Sequence, residues 1–177
     1  MKRNSKLAIA ITTTVLAAFS GAVVHAQDKY ALKSPSGIAF ADFKGYEDWA
    51  TISAAKADVL KVIVGNPTII NAFKAGVPGN GQAFPDGSKM VKLQWKTKKS
   101  KDAPFDVDVP DTFSQAFVME KDSKRFASHG GWGYAVFNYD PKTDKFTPDA
   151  ASPADCGHAC HTVVKAKDYV FHPYQKR

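Results

Sequence analysis

Met90-Val91-Lys92-Leu93-Gln94-Trp95-Lys96 alternates apolar and polar residues, with Val91, Leu93 and Trp95 pointing one way and Lys92, Gln94 and Lys96 the other. A period of two sends successive side chains to opposite faces of a pleated ribbon, so this stretch predicts a strand. A second alternating run follows at Phe113 to Glu120, in which Phe113, Gln115, Phe117 and Met119 share a face. The third, Trp132 to Tyr139, begins after Gly130-Gly131 and ends at an Asp140-Pro141 turn. Regular alternation of strands with helices is not visible. Runs joined by loops therefore predict an α+β fold, mainly an antiparallel sheet with a few helices.

Upstream of the first run, Pro85-Asp86-Gly87 is a turn signal closing a Gly/Pro-rich segment that starts at Gly76. Before that, Asn66 can cap a helix whose first residue is Pro67, with Ile69, Ile70 and Phe73 on its apolar face and Gly76 at its end. Tyr46 to Ala57 reads equally as helix or strand. Gln27 to Gly45, with Tyr30, Phe40 and Phe43 between glycines and prolines, reads as a wrapping segment with little regular structure. The chain shows no internal repeat.

The N-terminus has a different character. Lys2, Arg3 and Lys6 precede an apolar run from Leu7 to Val24 that ends in Val24-His25-Ala26. Charge, apolar stretch and small-residue end describe a secretory leader, expected at 1–26 with cleavage near Ala26. Thr12, Thr13, Thr14, Ser20 and Gly21 interrupt the run and disfavour a retained transmembrane helix. What remains, 27–177, suits one domain with one core and a secreted, periplasmic address, with no membrane attachment once the leader is removed. The full chain carries 24 Lys+Arg and 17 Asp+Glu, a net charge of +7; losing three basic residues with the leader leaves +4. That balance gives no support for nucleic-acid binding. Lys96, Lys98, Lys99 and Lys101 beside Pro104 read as a solvated loop rather than a binding stripe.

The chain's two cysteines both fall in Cys156-Gly157-His158-Ala159-Cys160-His161. Two thiols followed at once by an imidazole are what covalent attachment of one haem requires: two thioethers along one porphyrin edge and a histidine that can turn under the iron. The common spacing leaves two residues between the cysteines, whereas three stand here. We expect the extra residue to be looped out. A short-range disulfide is the alternative in an oxidising compartment. Zinc would need all four ligands from six consecutive residues, a poor tetrahedral geometry, and a thioredoxin-like pair would need Cys-x-x-Cys. His161, directly after Cys160, is the expected metal ligand; His158, inside the motif, is expected to be solvated. Met90, Met119, His129 and His172 are conceivable sixth ligands, though no motif recommends any of them.

Several blocks together carry a family likeness. The leader, the late Cys-His motif, Phe84-Pro85-Asp86-Gly87-Ser88-Lys89-Met90-Val91-Lys92-Leu93-Gln94-Trp95, Lys121-Asp122-Ser123-Lys124-Arg125-Phe126 and Gly130-Gly131-Trp132-Gly133-Tyr134 resemble the cytochrome P-460 family. The resemblance implies a mainly antiparallel β fold with helices and a C-terminal haem-attachment segment. It also implies a homodimer, a periplasmic location, and a single covalent haem c with an open distal side. Members include enzymes that oxidise hydroxylamine and the related cytochromes c′-beta, which bind nitric oxide; a soluble periplasmic electron carrier would be the redox partner. By the same resemblance Lys92 matches the lysine that the enzymes cross-link to haem, although strand alternation alone would leave it exposed. Their distal carboxylate would fall near Phe117, where no acid stands, which counts against hydroxylamine oxidation. Phe117, Phe113 and Met119 would ordinarily be core. As an apolar cap they would admit small neutral gases such as nitric oxide.

Overall fold

The computed structural model describes residues 27–151 and 154–175; the leader expected at 1–26 lies outside the described residues. Six strands follow one another as β1 (Ala50–Lys56), β2 (Leu60–Gly65), β3 (Lys89–Lys99), β4 (Asp108–Lys121), β5 (Trp132–Asp140) and β6 (Lys145–Pro148). Each pairs antiparallel with the next, so sheet order equals chain order. The described residues also form two α-helices, α1 (Pro67–Lys74) and α2 (Ala154–His161). The expected α+β class and the three alternating strands are therefore present, together with three strands that pattern alone did not resolve.

Local chemistry explains the elements. Asn66 caps α1 by accepting the Ile69 amide at 3.1 Å, and its side chain also donates to the Gly87 carbonyl at 2.8 Å, tying the helix start to the turn before β3. The helix ends at Lys74, two residues before Gly76, which takes a left-handed φ of 94°. Tyr46–Asp48 forms a single 3-10 turn before β1, so the ambiguous stretch is mostly strand. Pro110 lies inside β4 opposite Thr97. That is tolerated because β5 pairs only with Gln115 to Lys121, leaving the first part of β4 at an edge.

The sheet is covered on both faces. On one, Val64, Val91, Ala116, Val118, Ala135 and Phe137 pack against the wrapping segment, whose Ile38, Phe40 and Phe43 are buried, and against Tyr46 of the turn after it. Phe40 stacks on Phe137 with centroids 4.5 Å apart, and each fully buried ring contributes roughly 1.5–3 kcal/mol. On the other face, Met90, Trp132 and Tyr134 join Ile69 and Ile70 of α1, Phe84, and Tyr169 and Val170 of the C-terminal segment.

Register corrects one expectation. Between Gln94↔Gln115 and Trp95↔Phe113 the β3–β4 pairing slips by one residue, making Ser114 an extra residue in β4. The bulge turns Phe113 over to the wrapping-segment face, against Trp95, Tyr139 and Phe146. Phe113 thus parts company with Phe117 and Met119, which stay on the opposite face.

Candidate functional site

Between α2 and the helical face of the sheet lies a cavity of about 430 Å³. Alternation along four paired strands supplies its floor: Ile63 of β2 stands opposite Lys92 of β3, which stands opposite Phe117 of β4, itself opposite Val136 of β5. Cys156, Gly157, Cys160 and His161 of α2 supply the roof, with Val170, Phe171 and His172 along one side. Of the described residues lining the cavity, none is Asp or Glu.

The helix places the thiols. Residues four apart lie one turn apart on the same helix face, so Cys156 and Cys160 both open onto the cavity as free thiols. The expected loop-out is absent. α2 runs without interruption from Ala154 to His161, because a spacing of four matches the helical period of 3.6 residues. Gly157, between them, is where the helix meets the sheet: a Cβ there would come within 2.6 Å of Tyr134 Cβ.

His161 ends the helix half-buried. Its Nδ1 lies 2.6 Å from the carbonyl oxygen of Tyr169. A carbonyl can only accept, so Nδ1 carries the proton and Nε2 keeps its lone pair. Burial holds the imidazole below its ordinary pKa; the Tyr169 carbonyl pulls the other way and the nearby Lys92 charge reinforces the lowering. His161 is thus a neutral imidazole at the cavity, with Tyr134 at 5.0 Å and Phe171 at 4.7 Å packed against it.

Lys92, legible from alternation as a polar-face residue, turns into the cavity instead of solvent because α2 and the C-terminal segment cover that face. Its Nζ sits 3.8 Å from the centroid of the Phe117 ring. Desolvation lowers its pKa, helped by the neighbouring Lys61 charge and opposed by Cys160. Phe117 is half-buried and lines the cavity; Met90, Met119 and His172 line it as well. His129 does not. His158 is a correction: it is not solvated but wedged beside His129 at 4.9 Å and Tyr169 at 5.3 Å, with Nδ1 buried and without a hydrogen-bond partner among the described residues. It lies outside the cavity lining, because it falls on a different side of α2 from the cysteines.

Residues that the sequence did not single out complete the site. Tyr134 lines the cavity, its buried hydroxyl lacks a hydrogen-bond partner among the described residues, and burial raises its pKa. Lys121 and Asp168 form a buried ion pair at 2.8 Å, and Asp168 directly precedes Tyr169, whose carbonyl meets His161. No local signal marks that pair, since its members are 47 residues apart.

An apolar cavity with two thiols on one helix face and an imidazole at the helix end, set on an antiparallel sheet, has the donor set and the apolar surface that a haem requires. The chain belongs to the cytochrome P460 family, whose model, Cytochrome P460, matches residues 43–172. No curated protein matches the chain. Family membership carries a haem cofactor with it, and the residues present fit that group. Cys156 and Cys160 would hold its edge, the Nε2 of His161 has no competing partner among the described residues, and Ile63, Phe117 and Val136 offer apolar surface to the ring.

Proposed function

We propose that the protein is a periplasmic mono-haem cytochrome, its haem attached through Cys156 and Cys160 with His161 as axial ligand, that binds small nitrogen compounds, nitric oxide first. The observation that carries this reading is the cavity's composition: a thiol pair and a neutral imidazole facing Phe117, with no carboxylate among the described lining residues. When bound, the haem supplies an iron centre that takes a small nitrogenous ligand and exchanges electrons with a soluble carrier. Phe117, Met119 and Val136 exclude water, since apolar side chains offer it no hydrogen-bond partner. His161 holds its proton at Nδ1, keeping the imidazole oriented.

A second reading, slow oxidation of hydroxylamine, is favoured by Lys92, which turns into the cavity as a haem-cross-linking lysine would. Without a positioned base, that turnover lacks a contribution of about 10²- to 10⁴-fold. The deciding experiment records the optical spectrum of the ferrous protein, then mixes it with nitric oxide and, separately, with hydroxylamine. An ordinary five-coordinate spectrum, rapid nitric oxide binding and negligible hydroxylamine turnover are expected, with turnover rising in Phe117→Glu. A strongly red-shifted Soret band with brisk turnover by the unaltered protein would replace the binding reading with the enzymatic one. Sharp low-spin bands at rest would replace both with electron transfer.

A further inference from the structure

Lys121, the last residue of β4, is buried, its side chain only 6% exposed, and Asp168 is 12% exposed. Its ammonium donates to both carboxylate oxygens of Asp168, at 2.8 and 3.0 Å, and to the Gly130 carbonyl at 3.0 Å. Asp168 Oδ2 also accepts the Phe84 amide at 2.8 Å. One carboxylate in the C-terminal segment is therefore held from the end of β4 and from the loop before β3. Asp168 and the next residue, Tyr169, both adopt left-handed backbone, at φ 47° and 63°. Two such non-glycine residues in succession are strained and persist only where their surroundings impose them. The Tyr169 ring sits on Gly130, where a Cβ would come within 2.3 Å of it. Gly130 thus seats the tyrosine through its missing side chain and holds Lys121 through its carbonyl. The outcome of this convergence is that the Tyr169 carbonyl reaches His161 Nδ1 at 2.6 Å.

We propose that the Lys121–Asp168 ion pair is a positioning device that fixes the Tyr169 carbonyl on His161 and thereby sets how strongly the imidazole donates electrons to the haem iron. The proposal rests on the reading of His161 as axial ligand. A buried ion pair adds little stability compared with apolar residues of the same size, which leaves placement as the property it supplies here. An imidazole whose Nδ1–H is bonded to a carbonyl is more basic at Nε2, and such outer partners typically change metal affinity or activity 10- to 100-fold. A more basic ligand favours ferric over ferrous iron.

The test compares Lys121→Met, Asp168→Asn and Lys121→Arg with the unaltered holoprotein, reading the iron–imidazole stretching band of the ferrous form and the reduction potential rather than activity. Lys121→Met and Asp168→Asn should lower the band frequency. They should also raise the reduced-to-oxidised ratio at a fixed potential about tenfold, ~59 mV for a one-electron couple. Lys121→Arg should retain most of both values. Asp168→Asn keeps the side-chain size and an acceptor for the Phe84 amide, so it decides the matter should Lys121→Met not fold. Unshifted band and potential in the folded variants would overturn the proposal while leaving His161 as ligand. An iron–imidazole band that survives His161→Gly would instead overturn the ligand reading and the proposal with it.

Discussion

Lys92 is the residue whose environment departs furthest from what its type prefers. It faces a largely apolar cavity with no acid among the described lining residues, over the Phe117 ring and near the Lys61 charge, and desolvation lowers its pKa. A lysine held below its ordinary value binds fewer protons folded than unfolded. Stability from this group therefore rises as pH climbs from the depressed value to 10.5, and is lost as pH falls through that window. At neutral pH the folded haem-free protein bears the desolvation cost. Lys92→Met should then be more stable at pH 7 by about 0.5–1 kcal/mol, the cation–π contact offsetting part of the gain. It should also show a flatter stability profile toward pH 10. Urea denaturation of the haem-free proteins at both pH values measures this, and a less stable Lys92→Met at pH 7 would contradict it.

At the scale of the element, α2 depends on one small residue. It has no buried residue of its own and meets β5 through Gly157. In Gly157→Ala the new Cβ would meet Tyr134 Cβ at 2.6 Å and Cγ at 2.7 Å, which rigid packing cannot absorb. We expect a loss of about 1–3 kcal/mol from overpacking. The same shift should lift the cysteines from the cavity and lower the haem-to-protein ratio after maturation, measured by absorbance against peptide mass. An unchanged ratio and stability would mean that α2 docks elsewhere. His129 adds a second tether from the 3-10 turn before β5, its Nε2 lying 2.7 Å from Asp155 in the first turn of the helix.

Across the whole molecule, order is distributed unevenly. β3, β4 and β5 form the centre of a sheet covered on both faces, whereas α2 bridges the cavity. Before haem attachment, amide exchange should be slowest in β3 to β5 and fastest in α2, since opening α2 exposes little apolar surface. Attachment should slow exchange in α2 selectively, because a group bonded to both cysteines and packed on the sheet stabilises the state it binds. Hydrogen-exchange mass spectrometry of the two forms reads both effects; equal protection of α2 before and after attachment would contradict the arrangement.

The sequence alone determined what is local. Alternation marked β3, the inner part of β4 and β5; Asn66-Pro67 marked the start of α1; and Cys156, Cys160 and His161 lie within six residues, so their chemistry needed no knowledge of the fold. β6, four residues long, carries a weak local signal and exists because β5 offers it hydrogen bonds. The tertiary structure decided the rest. A period of two says that Lys92 and Leu93 face opposite ways but not which face is wet, and here neither is, so Lys92 turns into the cavity. The Ser114 bulge reverses Phe113 through strand pairing, and Lys121 finds Asp168 across 47 residues, because register and long-range closure are properties of the packed sheet and not of any stretch of chain.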